Sequence, residues 1–285
     1  MARGSQVKKY SKKAHTELQV WWSVMGLLLL FALLLNGSHQ LSLTYDEPSH
    51  LAAGYAYLAR GMEGFWTIPL RGHPLLINAW EALPLFIGNP NVPLETLEGW
   101  GASRQAYARA FIHAVGPIEV SEVGGRLPAI LLTVLLAALN FRWAADVWGT
   151  SGGLVALGLL SFDPTLLAHG RLATNDAGVT TMGTLALFLM WRWSKRHSWR
   201  TALGTGIILG CTLLSKSSGI LWVGVCFIAA IGTAFQKSCP RQRAWAQIML
   251  MGGLAIFIVW AMYGFSTGPI AVLPGIPIPA PLHWE

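Results

Sequence analysis

The sequence predicts an all-α fold: a polytopic membrane bundle of about seven transmembrane helices, with two amphipathic surface helices in its first outer loop. Hydrophobic residues make up 53% of the chain and charged residues only 12%, whereas charged residues are about 25% of an average soluble domain. Apolar runs close to the length of a membrane span recur along the chain. Lysines and arginines concentrate in alternate connecting segments, as expected for membrane topology.

A helix needs about 20 residues to cross about 30 Å of hydrocarbon. The first apolar run, 19–35, follows a basic tail. No small-residue cleavage pattern follows Leu35, so we interpret this run as an uncleaved span rather than a signal peptide. Six further runs complete the predicted spans: 127–147, 150–168, 173–193, 201–216, 218–235 and 244–263.

These spans divide the chain into three parts. Residues 1–18 form a basic cytoplasmic tail, residues 19–263 a seven-span module that includes an outer loop (36–126), and residues 264–285 an outer-face tail. With the N-terminus inside, most of the 20 lysines and arginines are cytoplasmic and nearly all of the 13 acids are outside. The net charge of +7 is therefore a matter of topology, and with no nucleic-acid motif present we expect no nucleic-acid partner. We expect an integral protein of the plasma (inner) membrane.

The outer loop contains two short helical patterns. Residues 48–60 open with Pro48, a good first-turn residue, and carry apolar residues at helical spacing. Residues 74–88 are similar. Both segments are too short to span, so we expect helices that lie along the membrane surface. Residues 89–106 are polar, contain Pro and Gly, and are predicted to form a loop.

Ionisable residues cluster near the predicted outer face, where charges usually face a cavity or a partner. The run from Ser151 to Phe162 contains only 12 residues, about 18 Å of helix, which is too short to cross the membrane before Asp163. Either the helix continues past Asp163 among other protein segments, or the outer half of the bundle encloses water. Both alternatives place 163–176 in an aqueous cavity that opens outward.

Each of the acids also has a structural explanation. Asp46 could cap the helix that begins at Pro48, and Glu47 could complement the dipole of its first turn. Asp163, which precedes a proline, could cap a helix end.

The basic residues have structural explanations as well. His50 and His73 could pack or form hydrogen bonds rather than bind a metal. Arg171 could pair with a neighbouring aspartate, and Lys216 could be an ordinary cation in a turn. The case for function depends on their convergence on one face of the membrane.

Five motifs resemble those of the integral-membrane C-type glycosyltransferases, most closely the protein O-mannosyltransferase and aminoarabinose-transferase relatives. In order they are YDEPSHLAAG (45–54), GHPLL (72–76), GRLPAILL (125–132), DPTLLAHGRLATND (163–176) and LLSKSSG (213–219). The second lacks one of the two prolines of the family's HPPL. The resemblance runs from about residue 20 to residue 275.

The resemblance implies an enzyme that passes a sugar from a polyprenyl-phosphate donor to a lipid or protein acceptor at the non-cytoplasmic face. Asp46 is then the candidate general base, with Glu47 beside it, because an attacking hydroxyl must lose its proton. A single displacement inverts the anomeric centre. Cations preorganised in the pocket stabilise the leaving phosphate; the candidates are Arg171, Lys216, Arg126 and His169. The other candidate site residues are His50, His73, Asp163 and Asp176.

Metal dependence is open. A divalent metal could be held by oxygen and nitrogen ligands drawn from Asp46, Glu47, His50, His73 and His169, although no close ligand spacing is present.

Family members usually continue beyond a seventh span, whereas this sequence stops soon after it. We therefore expect a missing C-terminal part, a second membrane chain, or a non-catalytic subunit that retains the fold. The remaining alternative is a transporter of an anionic lipid or sugar.

Overall fold

The computed structural model describes residues 2–67, 74–235 and 240–265, and all regular structure in these ranges is helical, which confirms the predicted all-α class. The described α-helices are α1 (Ala2–Ser38), α2 (Glu47–Thr67), α3 (Leu75–Gly88), α4 (Arg104–Val115), α5 (Ile118–Ser161), α6 (Pro164–His169), α7 (Asn175–Arg196), α8 (Trp199–Ser215), α9 (Gly219–Ala234) and α10 (Arg241–Met262).

Three of the described helices are long and apolar enough to cross a membrane: the Gln19–Ser38 part of α1, α5 and α10. Helices α7, α8 and α9 lie where further spans were predicted, and α9 is apolar but only 16 residues long. The count of seven spans stays a prediction. Nearly all of the predicted outer-face tail lies outside the described residues.

Helix α5 corresponds to two predicted spans. A straight helix of its 44 residues would be about 66 Å long, twice the thickness of the hydrocarbon. The helical conformation is interrupted at Gly149, whose φ of 78° is accessible to glycine without strain. After Gly149 the chain folds back on itself, because a Cβ atom added to Gly153 would lie only 2.8 Å from the carbonyl oxygen of Phe141.

The two helices predicted in the outer loop are present as α2 and α3, and their placement along the membrane surface stays a prediction. They pack closely: a Cβ atom at Gly54 would lie 1.8 Å from the carbonyl oxygen of Asn78. Helix α4 was not predicted. It begins after Ser103, whose side chain accepts a hydrogen bond from the N–H of Ala106 at 3.4 Å, and it buries Tyr107.

The other elements form two apolar clusters. Helix α1 packs against both halves of α5 through Leu30, Leu34 and Leu157. Helices α7 to α10 share a second cluster, in which the indole N–H of Trp193 donates to Gln247 at 2.9 Å. The consequence for the site is that the end of α1, the start of α2, the first half of α5 and the loop before α7 meet at one end of the bundle.

Candidate functional site

Glu47 and Arg126 form a bidentate ion pair at this meeting point. The Arg126 Nε donates to Oε1 of Glu47 at 2.7 Å and Nη2 donates to Oε2 at 2.8 Å, and neither side chain is exposed. Arg126 also donates to three backbone carbonyls, those of Ser38 at the end of α1 and of Leu41 and Ser42 in the loop that follows, at 2.7–2.9 Å. We call this arrangement the Glu47–Arg126 clamp.

The clamp reaches a third segment through Glu47. Its carboxylate accepts hydrogen bonds from the N–H of Thr44 at 2.7 Å and from the N–H of Ala173 at 2.9 Å. Burial alone would raise the pKa of Glu47, but Arg126 and the two backbone donors outweigh it and hold this pKa below its usual value. The pair is therefore ionised, and it fixes the loop before α7 against the start of α2.

Sequence reasoning assigned these two residues to separate tasks, Glu47 to catalysis and Arg126 to the donor phosphate. The structure brings them together instead. The Nε, Nη1 and Nη2 groups of Arg126 all donate to protein oxygens. The side chain has no exposed surface that could contact a phosphate.

Asp46 differs from its neighbour because its carboxylate is accessible. The Asp46 carbonyl accepts hydrogen bonds from the N–H groups of Ser49 and His50 and so starts α2, whereas its side chain is 59% exposed. Arg104 Nη2 lies 3.5 Å from Oδ1 of Asp46. Asp46 thus begins α2 through its backbone carbonyl rather than through its side chain, and its carboxylate faces Arg104 and solvent.

A cavity of about 680 Å³ lies between α5, α6 and α7 and brings together three other predicted residues, Asp163, His169 and Asp176. Asp163 accepts a hydrogen bond from the N–H of Leu166 at 2.6 Å and caps α6. Helix α5 ends at Ser161, so the alternative in which that helix continues past Asp163 is wrong. The capping explanation is confirmed, and the same aspartate also lines the cavity.

The predicted cations point in different directions. Lys216 Nζ lies 2.6 Å from Oδ1 of Asp176, at the lining of the cavity, and both side chains are partly exposed. Arg171 instead reaches α1, where a Cβ atom at Gly37 would lie 1.8 Å from its Nη1. Its Nε is buried without a hydrogen-bond partner, and no ion pair joins it to an acid in the described ranges.

Of the histidines proposed as metal ligands, His50 hydrogen-bonds to a neighbouring helix. His50 is buried and its Nδ1 lies 3.0 Å from Oδ1 of Asn78, which fits the hydrogen-bonding explanation. His73 lies outside the described residues. Within the described ranges no three His, Cys, Asp or Glu side chains are grouped as they would be around a metal ion. Because Glu47 is committed to Arg126, its carboxylate is not available to a metal ion.

Sequence reasoning missed Glu81, which lies in the apolar helix α3. Its side chain is completely buried, and neither carboxylate oxygen has a hydrogen-bond partner. Burial, and then the negative charges of Glu47 and Asp176, raise the pKa of Glu81 well above its usual value. The signal in the sequence was a single acid in an otherwise uncharged run, 74–88.

Comparison with known proteins gives one result. The family model described as dolichyl-phosphate-mannose-protein mannosyltransferase matches residues 105–263, more than half of the chain. No curated protein and no solved structure gives a significant match. The matched range runs from the second residue of α4 to just beyond α10, contains Arg126, Arg171 and Lys216, and begins after Asp46.

Proposed function

Because the chain belongs to the dolichyl-phosphate-mannose-protein mannosyltransferase family, we propose that it transfers a sugar from a polyprenyl-phosphate donor to an acceptor at the non-cytoplasmic membrane face, with Asp46 as the general base. Membership implies a membrane glycosyltransferase of the mannosyltransferase type, and with its span-length apolar helices the chain is an integral membrane protein. The family's description names a dolichyl phosphate carrier, which is a polyprenyl phosphate.

The observation that carries the proposal is the contrast between Asp46 and Glu47. Glu47 is buried and held by Arg126, while the adjacent Asp46 carboxylate is exposed. A general base needs a fixed backbone and an accessible oxygen. The clamp supplies the first of these and the exposed side chain the second, so we assign Glu47 and Arg126 a positioning role.

The reaction is a single displacement. The acceptor oxygen attacks the anomeric carbon as its proton passes to a carboxylate oxygen of Asp46. The bond from the anomeric carbon to the phosphate oxygen breaks, and the polyprenyl phosphate leaves with the electron pair. The anomeric centre is inverted, and the negative charge that develops on the phosphate needs a nearby cation.

Arg171 is the best-placed cation for that phosphate. It lies two residues from Ala173, which bonds to Glu47, and it has no acidic partner in the described part of the chain. Lys216 is committed to Asp176, and His169 lines the cavity between α5, α6 and α7, so we assign neither of them to the phosphate.

The test is sugar transfer from a polyprenyl-phosphate sugar by the full chain in lipid nanodiscs. Asp46→Asn is expected to lower kcat by about 100-fold or more, as when a general base is lost. Glu63→Gln, an exposed acid on the same helix, is the matched control and should transfer like the parent. Equal rates for Asp46→Asn and the parent would refute the role of Asp46. No transfer by any variant would favour a non-catalytic subunit, and flux across the bilayer without product would favour a transporter.

A further inference from the structure

We propose that the cavity between α5, α6 and α7 binds a neutral, hydroxyl-rich ligand, a sugar ring, and not the phosphate of the donor. This inference rests on the proposed function for taking the hydroxyl-rich ligand to be a sugar. The binding site and its ligand class follow from the lining of the cavity itself.

The cavity has a polar stripe on each of two facing helices. On α7, Asp176, Thr180 and Thr184 recur every four residues and line the cavity together, as side chains four apart share one face of a helix. On α5, Thr133 and Asn140 are seven residues apart and line it from the opposite side. Polar side chains within membrane helices are costly and usually face a cavity with a task to perform.

These polar groups retain hydrogen-bonding capacity. Asn140 uses one amide hydrogen on the carbonyl of Leu136 at 2.8 Å, which leaves its amide oxygen as an acceptor. The Thr133 hydroxyl lies within hydrogen-bond distance of two carbonyls, those of Gly170 at 2.7 Å and Ala129 at 3.0 Å, and its side chain is buried. The groups of the lining that remain accessible to a ligand are therefore Asn140, Thr180 and Thr184. A ligand that both donates and accepts hydrogen bonds, as sugar hydroxyls do, satisfies such a lining.

The charges on the lining disfavour an anion. Asp163 and Asp176 border the cavity together with one histidine, His169, and Lys216, which contacts Asp176, is already paired with it. A phosphate would meet two carboxylates, whereas sugar hydroxyls can donate to them. Arg171, the cation that lacks an acidic partner, reaches α1 rather than this cavity.

The remaining lining is apolar, with Leu136, Leu160 and Leu166 among its residues. Such a surface suits the C–H faces of a sugar ring or the start of a lipid chain. The volume of about 680 Å³ lies within the usual range of ligand pockets, about 300–1,000 Å³.

The test measures binding of two soluble probes to the full chain in nanodiscs by saturation-transfer NMR titration. The probes are methyl α-mannopyranoside, which is neutral, and mannose 1-phosphate, which is anionic. We expect the neutral probe to bind more tightly. Asn140→Leu and Thr184→Val should each weaken it by about fivefold, since each removes one hydrogen bond. Thr205→Val, a buried threonine in α8 that does not line the cavity, should leave both affinities unchanged.

A second measurement covers the case in which Asn140→Leu fails to fold. With the three native cysteines replaced by alanine, Thr184→Cys should react with a maleimide, and methyl α-mannopyranoside should slow that reaction while mannose 1-phosphate should not. Tighter binding of mannose 1-phosphate, or equal binding by the parent and the cavity variants, would overturn the proposal.

The two proposals fail in distinguishable ways. If Asp46→Asn abolishes transfer while the cavity variants keep the parent's KM for both substrates and no neutral probe binds, the cavity assignment alone is wrong. If the parent transfers no sugar but binds the neutral probe through Asn140 and Thr184, the ligand class stands and the enzymatic proposal falls.

Discussion

Glu47 and Arg126, 79 residues apart in the sequence, meet in a fully buried bidentate ion pair that joins three segments of the chain. Its two residues lie beside the exposed Asp46 and at the start of the long helix that leads into the membrane. The pair therefore connects the fold of the bundle to the position of the candidate base.

Breaking this pair should be strongly destabilising. Arg126→Met leaves the Glu47 carboxylate buried without its cation, and such a loss costs about 3–5 kcal/mol. Arg60→Met is the matched control because Arg60 and Glu95 form an ion pair at 2.6 Å whose side chains are about half exposed, and exposed pairs contribute about 0–1 kcal/mol. Denaturant unfolding of the chain in detergent micelles measures both. A similar small change for the two variants would contradict the clamp.

The clamp also predicts a loss of stability in acid. Burial raises the pKa of Glu47, but its hydrogen bonds to Arg126, Thr44 and Ala173 lower this pKa by more than burial raises it. The pKa in the folded state therefore lies below the usual 4.5. The stabilisation is complete above the unfolded pKa and is lost as pH falls through the folded one. The free energy of unfolding should thus drop as pH falls below about 4.5. Glu47→Gln should show a shallower drop over the same range, and an unchanged slope would argue against an ionised pair.

The sequence predicted the elements of this site better than their pairing. Apolar periodicity identified α2 and α3, and the motifs singled out Glu47, Arg126, Asp176 and Lys216. Local pattern does not reveal which acid neutralises which cation across 79 or 40 residues, because that depends on how helices pack. Glu47, which was expected to face the substrate, is instead buried against Arg126.

Helix α4 and Glu81 were missed for different reasons. The segment 104–115 mixes arginines, alanines and aromatics, and its buried face depends on contacts with α2, so its burial was not visible from composition. Glu81 was overlooked because a single acid in an apolar run gives no pattern. Its isolation becomes informative only once both carboxylate oxygens are known to be buried without a partner.

Glu81 should give the opposite pH dependence to Glu47. Burial and the charges of Glu47 and Asp176 raise its folded pKa well above 4.5, so the folded state binds a proton that the unfolded state has released. Stability should then decrease as pH rises above the unfolded pKa, until the folded pKa is passed. Glu81→Gln, which keeps the shape without the charge, should be more stable than the parent at pH 8 and lose its advantage near pH 4. Thermal unfolding midpoints across this range measure the effect, and a parent whose midpoint rises from pH 5 to pH 8 as much as that of Glu81→Gln would contradict it.

Gly54→Ala should separate α2 from α3. The added Cβ would lie 1.8 Å from the carbonyl oxygen of Asn78 and 2.9 Å from the amide nitrogen of Ala79. Because both are backbone atoms, the helices themselves must move, and overpacking of this kind costs about 1–3 kcal/mol. Gly158→Ala is the control, since nothing lies within 4 Å of the new Cβ, and alanine is the better helix former. Equal unfolding midpoints for the two variants would show that the α2–α3 contact is looser than described.

Gly37→Ala tests the role of Arg171 without changing that arginine. The added Cβ would lie 1.8 Å from Nη1 of Arg171 and 3.0 Å from its Cζ. These atoms belong to the far end of a flexible side chain, so the guanidinium can swing away, and we expect stability to change by less than about 1 kcal/mol. If Arg171 binds the donor phosphate, its displacement should raise KM for the polyprenyl-phosphate sugar several-fold, while KM for the acceptor stays near that of the parent.

Arg171→Gln should raise the KM for the donor further, and adding Gly37→Ala to it should have no additional effect, because residues that act through one contact are not additive. Additive effects in the double variant would show that Gly37→Ala acts through a contact other than the one with Arg171. An unchanged KM for the donor in Arg171→Gln would show that Arg171 does not bind the phosphate.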